Sequence, residues 1–174
     1  ATNDNRSMLS FVEWCKLWLE FLPDKKLLTV GIKNLLWWDE IIGPPQWIIA
    51  WIKRNGQGQT GLGGTNKWDP ILVYGCPIDN QIDMIEANND YSEGIKAGGV
   101  HPTPKPVQLW AEVLVRFGTQ TGIIYEPFCG TGTTILAAHQ LDRRCRAIEI
   151  DPGYAAVSIQ RFFDVTGTQP KLLS

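Results

Sequence analysis

The chain has 174 residues, of which 44% are hydrophobic and 20% are charged, and its formal net charge is −2. This length and composition are typical of one globular domain, and no apolar run approaches the roughly 20 residues that a membrane-crossing helix needs. The small negative charge excludes a general electrostatic attraction to nucleic acid, so any such binding would require a local patch.

The first part of the chain predicts a helix, a strand and a second helix. Residues 8–22 carry apolar side chains three and four apart and predict an amphipathic helix, which Pro23 would end. Residues 27–31 form a short apolar run that predicts a buried strand. Asn34 is then predicted to cap a helix over residues 35–42.

Two further buried strands are predicted, over residues 46–53 and from Trp68 to Tyr74. Residues 54–67 between them contain five glycines among polar side chains and predict a flexible loop. Residues 76–99 are polar and acidic without a sustained period, so we expect a partly ordered excursion there.

Helices and strands alternate again in the last third. Residues 107–117 predict a helix with a proline at its start and a glycine after it. A strand before a glycine-containing turn, a helix over 133–141, a strand over 146–150 and a helix over 152–165 follow, and Asp151 is favoured as the N-cap of the last helix. This alternation predicts an α/β fold with a parallel or mostly parallel sheet and helices on both faces.

Tryptophan and cysteine are informative by their distribution. Seven of the eight tryptophans lie in the first 70 residues. Large aromatic side chains favour cores and interfaces, so we predict that these tryptophans pack in the core and at a subunit interface. A homo-oligomer is therefore possible, and base stacking by one or two of the rings is the alternative. The four cysteines lack Cys-x-x-Cys spacing, which predicts neither a zinc site nor a disulfide framework and favours a reducing, cytoplasmic location.

The most informative segment is the turn at residues 126–134, with the sequence Glu-Pro-Phe-Cys-Gly-Thr-Gly-Thr-Thr. Gly130 and Gly132 lack Cβ atoms where the backbone must turn sharply and approach a ligand, and the next helix presents its first N–H groups there. Glu149 follows about 20 residues later, where an acid can accept both hydroxyls of a ribose. A nucleotide-type cofactor site is predicted, with an ordinary strand-to-helix turn as the alternative. The absence of a Gly-Lys-Ser/Thr ending and of a third glycine disfavours phosphate binding.

A proline-rich segment precedes the helix over 107–117. Residues 101–106 have the sequence His-Pro-Thr-Pro-Lys-Pro, in which three prolines restrict the backbone. Thr103 and Lys105 would therefore be presented rigidly beside the helix. A simple linker is the alternative interpretation.

In this order, His-Pro-Thr-x-Lys-Pro, Glu-Pro-Phe-x-Gly-x-Gly-Thr-Thr and Ile-Glu-Ile-Asp-Pro-x-Tyr resemble the permuted, beta-group amino-methyltransferases of DNA. The specific match covers residues 101–165. The resemblance implies a Rossmann-like sheet, S-adenosylmethionine as cofactor and DNA as partner, with the adenine or cytosine flipped from the duplex. It also implies one domain over residues 1–174, with a catalytic-half remainder (1–75), a short variable excursion (76–100) and a cofactor-binding half (101–174). No membrane partner is implied.

The resemblance further implies the cofactor-binding residues. The aromatic residue and two glycines of the turn would shape the pocket, Thr133 would lie near the methionine end, and Glu149 would bind the ribose hydroxyls. Thr103 and Lys105 would face the methionine carboxylate. Glu126 replaces the family's usual aspartate, which keeps the charge and lengthens its reach. The implied set is Thr103, Lys105, Glu126, Phe128, Gly130, Gly132, Thr133 and Glu149.

The family's catalytic tetrad, Asp/Asn/Ser-Pro-Pro-Tyr/Phe/Trp at a strand end, does not occur in the sequence. Amino methylation uses such a site to accept hydrogen bonds from the exocyclic amine and to stack a ring on the flipped base. The nearest string, Gly-Pro-Pro-Gln-Trp at residues 43–47, is interpreted as a helix stop, with a divergent catalytic loop as the alternative. We expect either that the strand with the tetrad lies on a segment absent from this chain, or that the chain is a noncatalytic cofactor-binding or interaction protein. No catalytic or metal-ligating residue is predicted.

Candidate DNA contacts are few. Lys53, Arg54 and Lys67 lie around the glycine-rich loop and are the best candidates for phosphate contacts, with a solvated loop as the alternative. The short acidic excursion is too small to predict a DNA-reading module. A restriction-modification role is compatible with these features, and the choice between adenine and cytosine is not decided by them.

Overall fold

A computed structural model describes residues 8–55, 58–59, 64–88 and 104–172 of the chain. These residues form helices and strands in mixed order, which confirms the α/β class. Across the described ranges, no helix is both long enough and apolar enough to span a bilayer.

The chain divides into two compact units. One comprises residues 1–52 and 57–85, and the other comprises residues 53–56 and 86–174. The predicted single domain, with its divisions near residues 75 and 100, stays a prediction.

The elements of the first part match most of the predicted ones. They are α1 (Met8–Leu19), β1 (Lys26–Thr29), a 3₁₀ turn (Ile32–Asn34), α2 (Trp37–Ile42), β2 (Trp47–Ile52), β3 (Gly58–Gln59), β4 (Thr65–Asn66), β5 (Trp68–Tyr74) and β6 (Met84–Glu86). The helix α1 ends at Leu19, three residues before the predicted end. Asn34 does not cap α2, whose N-cap is Leu36, because Asn34 closes the 3₁₀ turn through a bond from its N–H to the Gly31 carbonyl (2.9 Å).

The four-stranded sheet has the order β1-β5-β2-β6, and both β1 and β2 are antiparallel to β5. The prediction of a mostly parallel sheet is therefore wrong for these pairings. Between β2 and β5 the described chain forms the short antiparallel pair β3–β4, without a crossover helix, and such a connection returns the chain antiparallel. β1 and β2, which are separated by α2, run in the same direction on either side of β5.

The tryptophan-rich region is a packed core. Phe11 contacts Trp38 edge-on with ring centroids 5.8 Å apart, and Trp18 lies 5.8 Å from Trp14 and 6.4 Å from Trp38. These rings surround buried aliphatic and aromatic side chains, which confirms the predicted core packing. The buried members of this cluster are Val12, Cys15, Val30, Trp38, Ile41, Leu72 and Tyr74.

The second unit follows the prediction closely. Among its described residues, the elements are α3 (Val107–Phe117), β7 (Ile124–Glu126), α4 (Thr133–Gln140), β8 (Cys145–Ala147) and α5 (Pro152–Thr166). β7 and β8 pair in parallel, as predicted. The Asp151 carboxylate caps α5 by accepting bonds from the N–H groups of Gly153 (2.7 Å) and Tyr154 (3.1 Å). The buried core residues of this unit are Val107, Leu114, Ile124, Leu136, Ala137 and Ala138.

Candidate cofactor site

The turn between β7 and α4 requires both of its glycines. Gly130 has φ +54° and Gly132 has φ +82°, in the left-handed region that side chains with a Cβ disfavour. A Cβ on Gly132 would lie 2.9 Å from the Cβ of Ser158, whereas a Cβ on Gly130 would meet no atom within 4 Å. Gly132 is thus fixed by packing against α5, and the space beside Gly130 is open to a ligand.

Glu149 lies directly against this turn. Its Oε2 accepts a hydrogen bond from the Gly130 N–H (2.7 Å), and its Oε1 accepts one from the Asp151 N–H (2.9 Å). The strand β8 ends two residues earlier than Glu149, but the Ile148 N–H still bonds to the Glu126 carbonyl (2.8 Å) and continues the pairing with β7. Each carboxylate oxygen can accept two hydrogen bonds, so each retains one position for a ligand hydroxyl.

The Glu126 carboxylate stabilises the turn through two hydrogen bonds. Its Oε1 accepts a bond from the Phe128 N–H (2.9 Å), and its Oε2 accepts one from the Thr134 hydroxyl (2.7 Å). The carboxylate therefore connects the end of β7 to the first turn of α4. This contact gives Glu126 a role in shaping the turn, and the sequence prediction that it contacts cofactor stays a prediction.

The proline-rich segment contacts the turn through Lys105. The buried Thr133 hydroxyl donates to the Lys105 carbonyl over 3.2 Å, and Pro104 and Pro106 are buried on either side. The backbone of Lys105 therefore lies against the first residue of α4, and the predicted cofactor contacts of Lys105 and Thr133 stay predictions. Thr103 lies outside the described residues, so its predicted role stays a prediction.

Exposed apolar residues lie next to Glu149 in the sequence and at the start of the turn. Phe128 is 48% exposed, and Ile148 and Ile150, on either side of Glu149, are 53% and 93% exposed. The predicted role of Phe128 in shaping the pocket stays a prediction.

Arg161 is a residue that sequence reasoning missed. Its side chain extends from α5 and is buried, and its Nη1 donates to the Thr131 carbonyl over 2.8 Å. A lone arginine on an amphipathic helix gives no sequence signal for burial, because its long side chain more often extends into solvent.

The thiols near the turn are not activated. Burial raises the pKa of the Cys129 thiol, the carboxylates of Glu126 and Glu149 raise it as well, and hydrogen bonds to Ser158 and Gly132 partly oppose the rise. Burial, with smaller contributions from Glu126 and Cys129, raises the pKa of the Cys145 thiol from 9.0 to about 11. A neutral thiol is a poor nucleophile, so neither cysteine is suited to covalent catalysis.

Two other sequence predictions concern loops. Gly43 ends α2 with φ +89° and donates its N–H to the Asp39 carbonyl (2.8 Å), which confirms residues 43–47 as a helix stop. Lys53 is buried, and Arg54 forms an ion pair with Glu86, with one hydrogen bond of 2.7 Å. The phosphate role of Lys53, Arg54 and Lys67 stays a prediction.

Comparison with known proteins decides the family. The family model described as DNA methylase, N6_N4_Mtase, matches residues 36–160. The chain belongs to this family. The match covers most of both units and includes the glycine turn and Glu149. It agrees with the family that the sequence motifs predicted.

Relatives and solved structures agree with this membership. The chain is 34% identical over 71 residues to the type II methyltransferase M2.MboI of Moraxella bovis. This match covers 41% of our chain and 26% of the relative. The chain thus spans about a quarter of the length of the curated relatives that it matches.

The fold is shared with solved structures of low sequence identity. The crystal structure of the M1.HpyAVI–SAM complex superposes with a TM-score of 0.68 at 17% identity. The superposition covers 88% of our chain and 82% of the M1.HpyAVI chain. The cytosine-N4-specific PvuII DNA methyltransferase gives 0.66 at 18% identity, covering 93% and 74%. At these identities the likeness establishes the fold alone, which is the Rossmann-like fold of the predicted class.

Proposed function

We propose that this chain binds S-adenosylmethionine at the glycine turn and serves methyl transfer to the exocyclic amine of adenine or cytosine in DNA. One observation carries the proposal: the Glu149 carboxylate is hydrogen-bonded to the Gly130 N–H at 2.7 Å, so an acid suited to a ribose lies at the turn itself. Membership of the DNA methylase family supports the same assignment.

The residues of the turn fit this cofactor. The space beside Gly130 is open, and the Glu149 oxygens retain acceptor positions for the two ribose hydroxyls. Phe128 would contact the adenine, because its exposed ring follows Glu126 at the start of the turn. S-adenosylmethionine supplies a methyl group bound to a sulfonium, which is the chemistry that an amine acceptor needs.

The opposite end of the turn is polar and suits the methionine part. Thr133 and Lys105 are joined by the 3.2 Å hydrogen bond between the threonine hydroxyl and the lysine carbonyl. We assign these two residues, with Thr103, to the amino-acid end of the cofactor. Glu126 would act from behind the turn, by holding Phe128 and Thr134 in place.

The cofactor assignment is tested by calorimetry with a matched ligand pair. S-adenosylhomocysteine and its 2′,3′-dideoxy analogue are titrated into the wild type, Glu149→Ala and the control Glu112→Ala, whose acid pairs with Arg116 on α3. In the wild type and the control, the analogue should bind at least about tenfold more weakly than S-adenosylhomocysteine, because it lacks the ribose hydroxyls that would donate hydrogen bonds to Glu149. In Glu149→Ala the two ligands should bind alike.

Each outcome of the titration has one meaning. Absence of heat with the wild type and either S-adenosyl ligand would overturn the cofactor proposal. If the dideoxy analogue still binds more weakly in Glu149→Ala, another residue holds the ribose and the assignment of Glu149 is wrong.

Methyl transfer is tested separately. The chain is incubated with duplex DNA and S-adenosylmethionine carrying a labelled methyl group, and the digested nucleosides are identified by mass spectrometry. N6-methyladenine or N4-methylcytosine is the expected product and also decides the target base. Cofactor binding without any labelled base would agree with both expectations from the sequence, a tetrad on a segment absent from this chain or a noncatalytic binding protein.

Cellular location and assembly follow as proposals from the same function. A DNA substrate places the protein in the cytoplasm of a bacterium or of a phage-infected cell. A homo-oligomer stays a prediction, which sedimentation velocity at several protein concentrations would test.

A further inference from the structure

The guanidinium of Arg161 is buried against the polar atoms of the glycine turn. The residue is 6% exposed, and its Nη1 lies 2.8 Å from the Thr131 carbonyl, 3.3 Å from the Thr131 hydroxyl and 3.5 Å from the Thr133 hydroxyl. Removing a charged group from water is costly unless hydrogen bonds compensate it. This cation is therefore compensated at least in part by the turn itself.

Thr131 lies at the centre of the turn. It stands between Gly130 and Gly132, both of which have positive φ, and it is 4% exposed. Its carbonyl and hydroxyl both accept from Arg161, so the guanidinium holds the residue that separates the two left-handed glycines. A charge-assisted hydrogen bond is roughly twice as strong as a neutral one.

The contact extends to the proline-rich segment. The Thr133 hydroxyl accepts from Arg161 and donates its own hydrogen to the Lys105 carbonyl, as one hydroxyl can do. One helical turn before Arg161, Ser158 packs so closely against Gly132 that a Cβ there would lie 2.9 Å away. Helix α5 therefore holds the turn by close packing at Ser158 and by hydrogen bonds from Arg161.

We propose that Arg161 is a positioning residue that holds the turn in the conformation that binds the methionine end of the cofactor. This inference rests on the proposed function. Arg161 contacts Thr131 and Thr133 and, through Thr133, reaches Lys105, whereas Glu149 bonds the Gly130 N–H on the N-terminal side of Thr131. Loss of the guanidinium therefore weakens binding of the amino-acid part of the ligand and leaves binding of the nucleoside part unchanged.

The experiment compares two ligands and three variants. S-adenosylhomocysteine contains the amino-acid part, and 5′-methylthioadenosine lacks it. The variants are Arg161→Met, Arg161→Lys and the control Arg143→Met, which removes another arginine that bonds a backbone carbonyl, that of Leu114, at 3.3 Å. Each variant is titrated by calorimetry, and its unfolding is followed by circular dichroism.

Arg161→Met should lower the affinity for S-adenosylhomocysteine at least about tenfold, the effect of losing one charge-assisted bond. Its affinity for 5′-methylthioadenosine should stay within about twofold of the wild type. Arg161→Lys should regain part of the loss, because lysine keeps the charge but not the planar fork. Arg143→Met should change neither affinity, even if it lowers the unfolding midpoint.

Equal losses for both ligands, no loss for either, or the same pattern in Arg143→Met would overturn the inference. If Arg161→Met does not fold, the ligand comparison is made on Arg161→Lys, in which unchanged affinity for S-adenosylhomocysteine would overturn it. Hydrogen exchange separates the inference from the proposed function: without ligand, the Gly132 N–H should exchange faster in Arg161→Met than in the wild type and Arg143→Met. If the Gly132 N–H exchanges at an unchanged rate in Arg161→Met, Arg161 does not position the turn. If that N–H exchanges faster but the wild type binds neither ligand, the cofactor proposal is refuted and Arg161 shapes the turn only.

Discussion

Replacing Gly132 with alanine should destabilise the second unit more than the same change at Gly130. Both glycines have positive φ, +82° and +54°. They differ in their surroundings, since a Cβ at position 132 would lie 2.9 Å from the Cβ of Ser158 and one at position 130 would meet no atom within 4 Å. The pair thus separates the backbone cost from the packing cost.

The magnitudes follow from these two contributions. A left-handed backbone costs a residue with a Cβ about 1–2 kcal/mol, and the less flexible unfolded chain offsets about 0.4–1 kcal/mol of this. Gly130→Ala should therefore cost about 1 kcal/mol. Overpacking against Ser158 adds about 1–3 kcal/mol, so Gly132→Ala should cost about 3 kcal/mol.

Urea denaturation followed by far-ultraviolet circular dichroism measures both values. The double variant Gly132→Ala/Ser158→Gly removes the opposing Cβ and leaves the Ser158 Cα 3.2 Å from the added Cβ, so, relative to Ser158→Gly alone, the cost of the alanine at position 132 should fall part of the way toward that at position 130. If Gly130→Ala is as destabilising as Gly132→Ala, or if Ser158→Gly gives no relief, the close packing of α5 against the turn does not limit the residue at this position.

Three further predictions concern a helix cap, the aromatic core and the thiols. Asp151→Ala should lower the free energy of unfolding by about 1 kcal/mol, measured by urea denaturation, and Asp151→Ser should restore most of it; an equal loss in both would contradict a capping role. Trp38→Ala, which removes a buried ring in contact with its neighbours, should cost about 3–5 kcal/mol in the same assay, against about 0.5 kcal/mol or less for the 83% exposed Leu36→Ala. The folded-state pKa values of Cys15 and Cys145 are raised from 9.0 to about 12 and about 11, so the folded chain holds protons that the unfolded chain releases. The contribution of these protonated thiols to stability is complete below pH 9 and is lost as the pH rises from 9 toward 12. The urea concentration at the unfolding midpoint should therefore be lower at about pH 10 than at about pH 8, and this decrease should be smaller in a Cys15→Ala/Cys145→Ala variant.

Features that depend on neighbouring residues were predictable from the sequence. The helix α3 starts after Pro106 and ends at Phe117, with Gly118 as its C-cap, and Asp151 caps α5, as predicted. Proline, glycine and aspartate act on the backbone of their own turn, so their effect does not depend on distant contacts. The glycine turn and its closeness to Glu149 also followed from spacing, because a short strand–helix–strand unit fixes where its second strand ends.

Features that depend on distant pairing were not predictable. β5 has the same apolar character as a parallel buried strand, and its antiparallel position between β1 and β2 is set by the connection from β2. β6 has three residues of which Ile85 alone is buried, a pattern too short to separate from a polar loop. The burial of Arg161 depends on how α5 packs against the turn, which sequence periodicity does not specify.

The two amides that hold the Glu149 carboxylate have a kinetic consequence. Hydrogen bonds from Gly130 and Asp151, at 2.7 and 2.9 Å, orient the acceptor oxygens before any ligand arrives. A cofactor entering such a site needs no slow rearrangement of the acid, and association then depends on diffusion and orientation. Differences in affinity among variants of this loop should therefore lie in the residence time of the ligand, which stopped-flow dissociation measures directly.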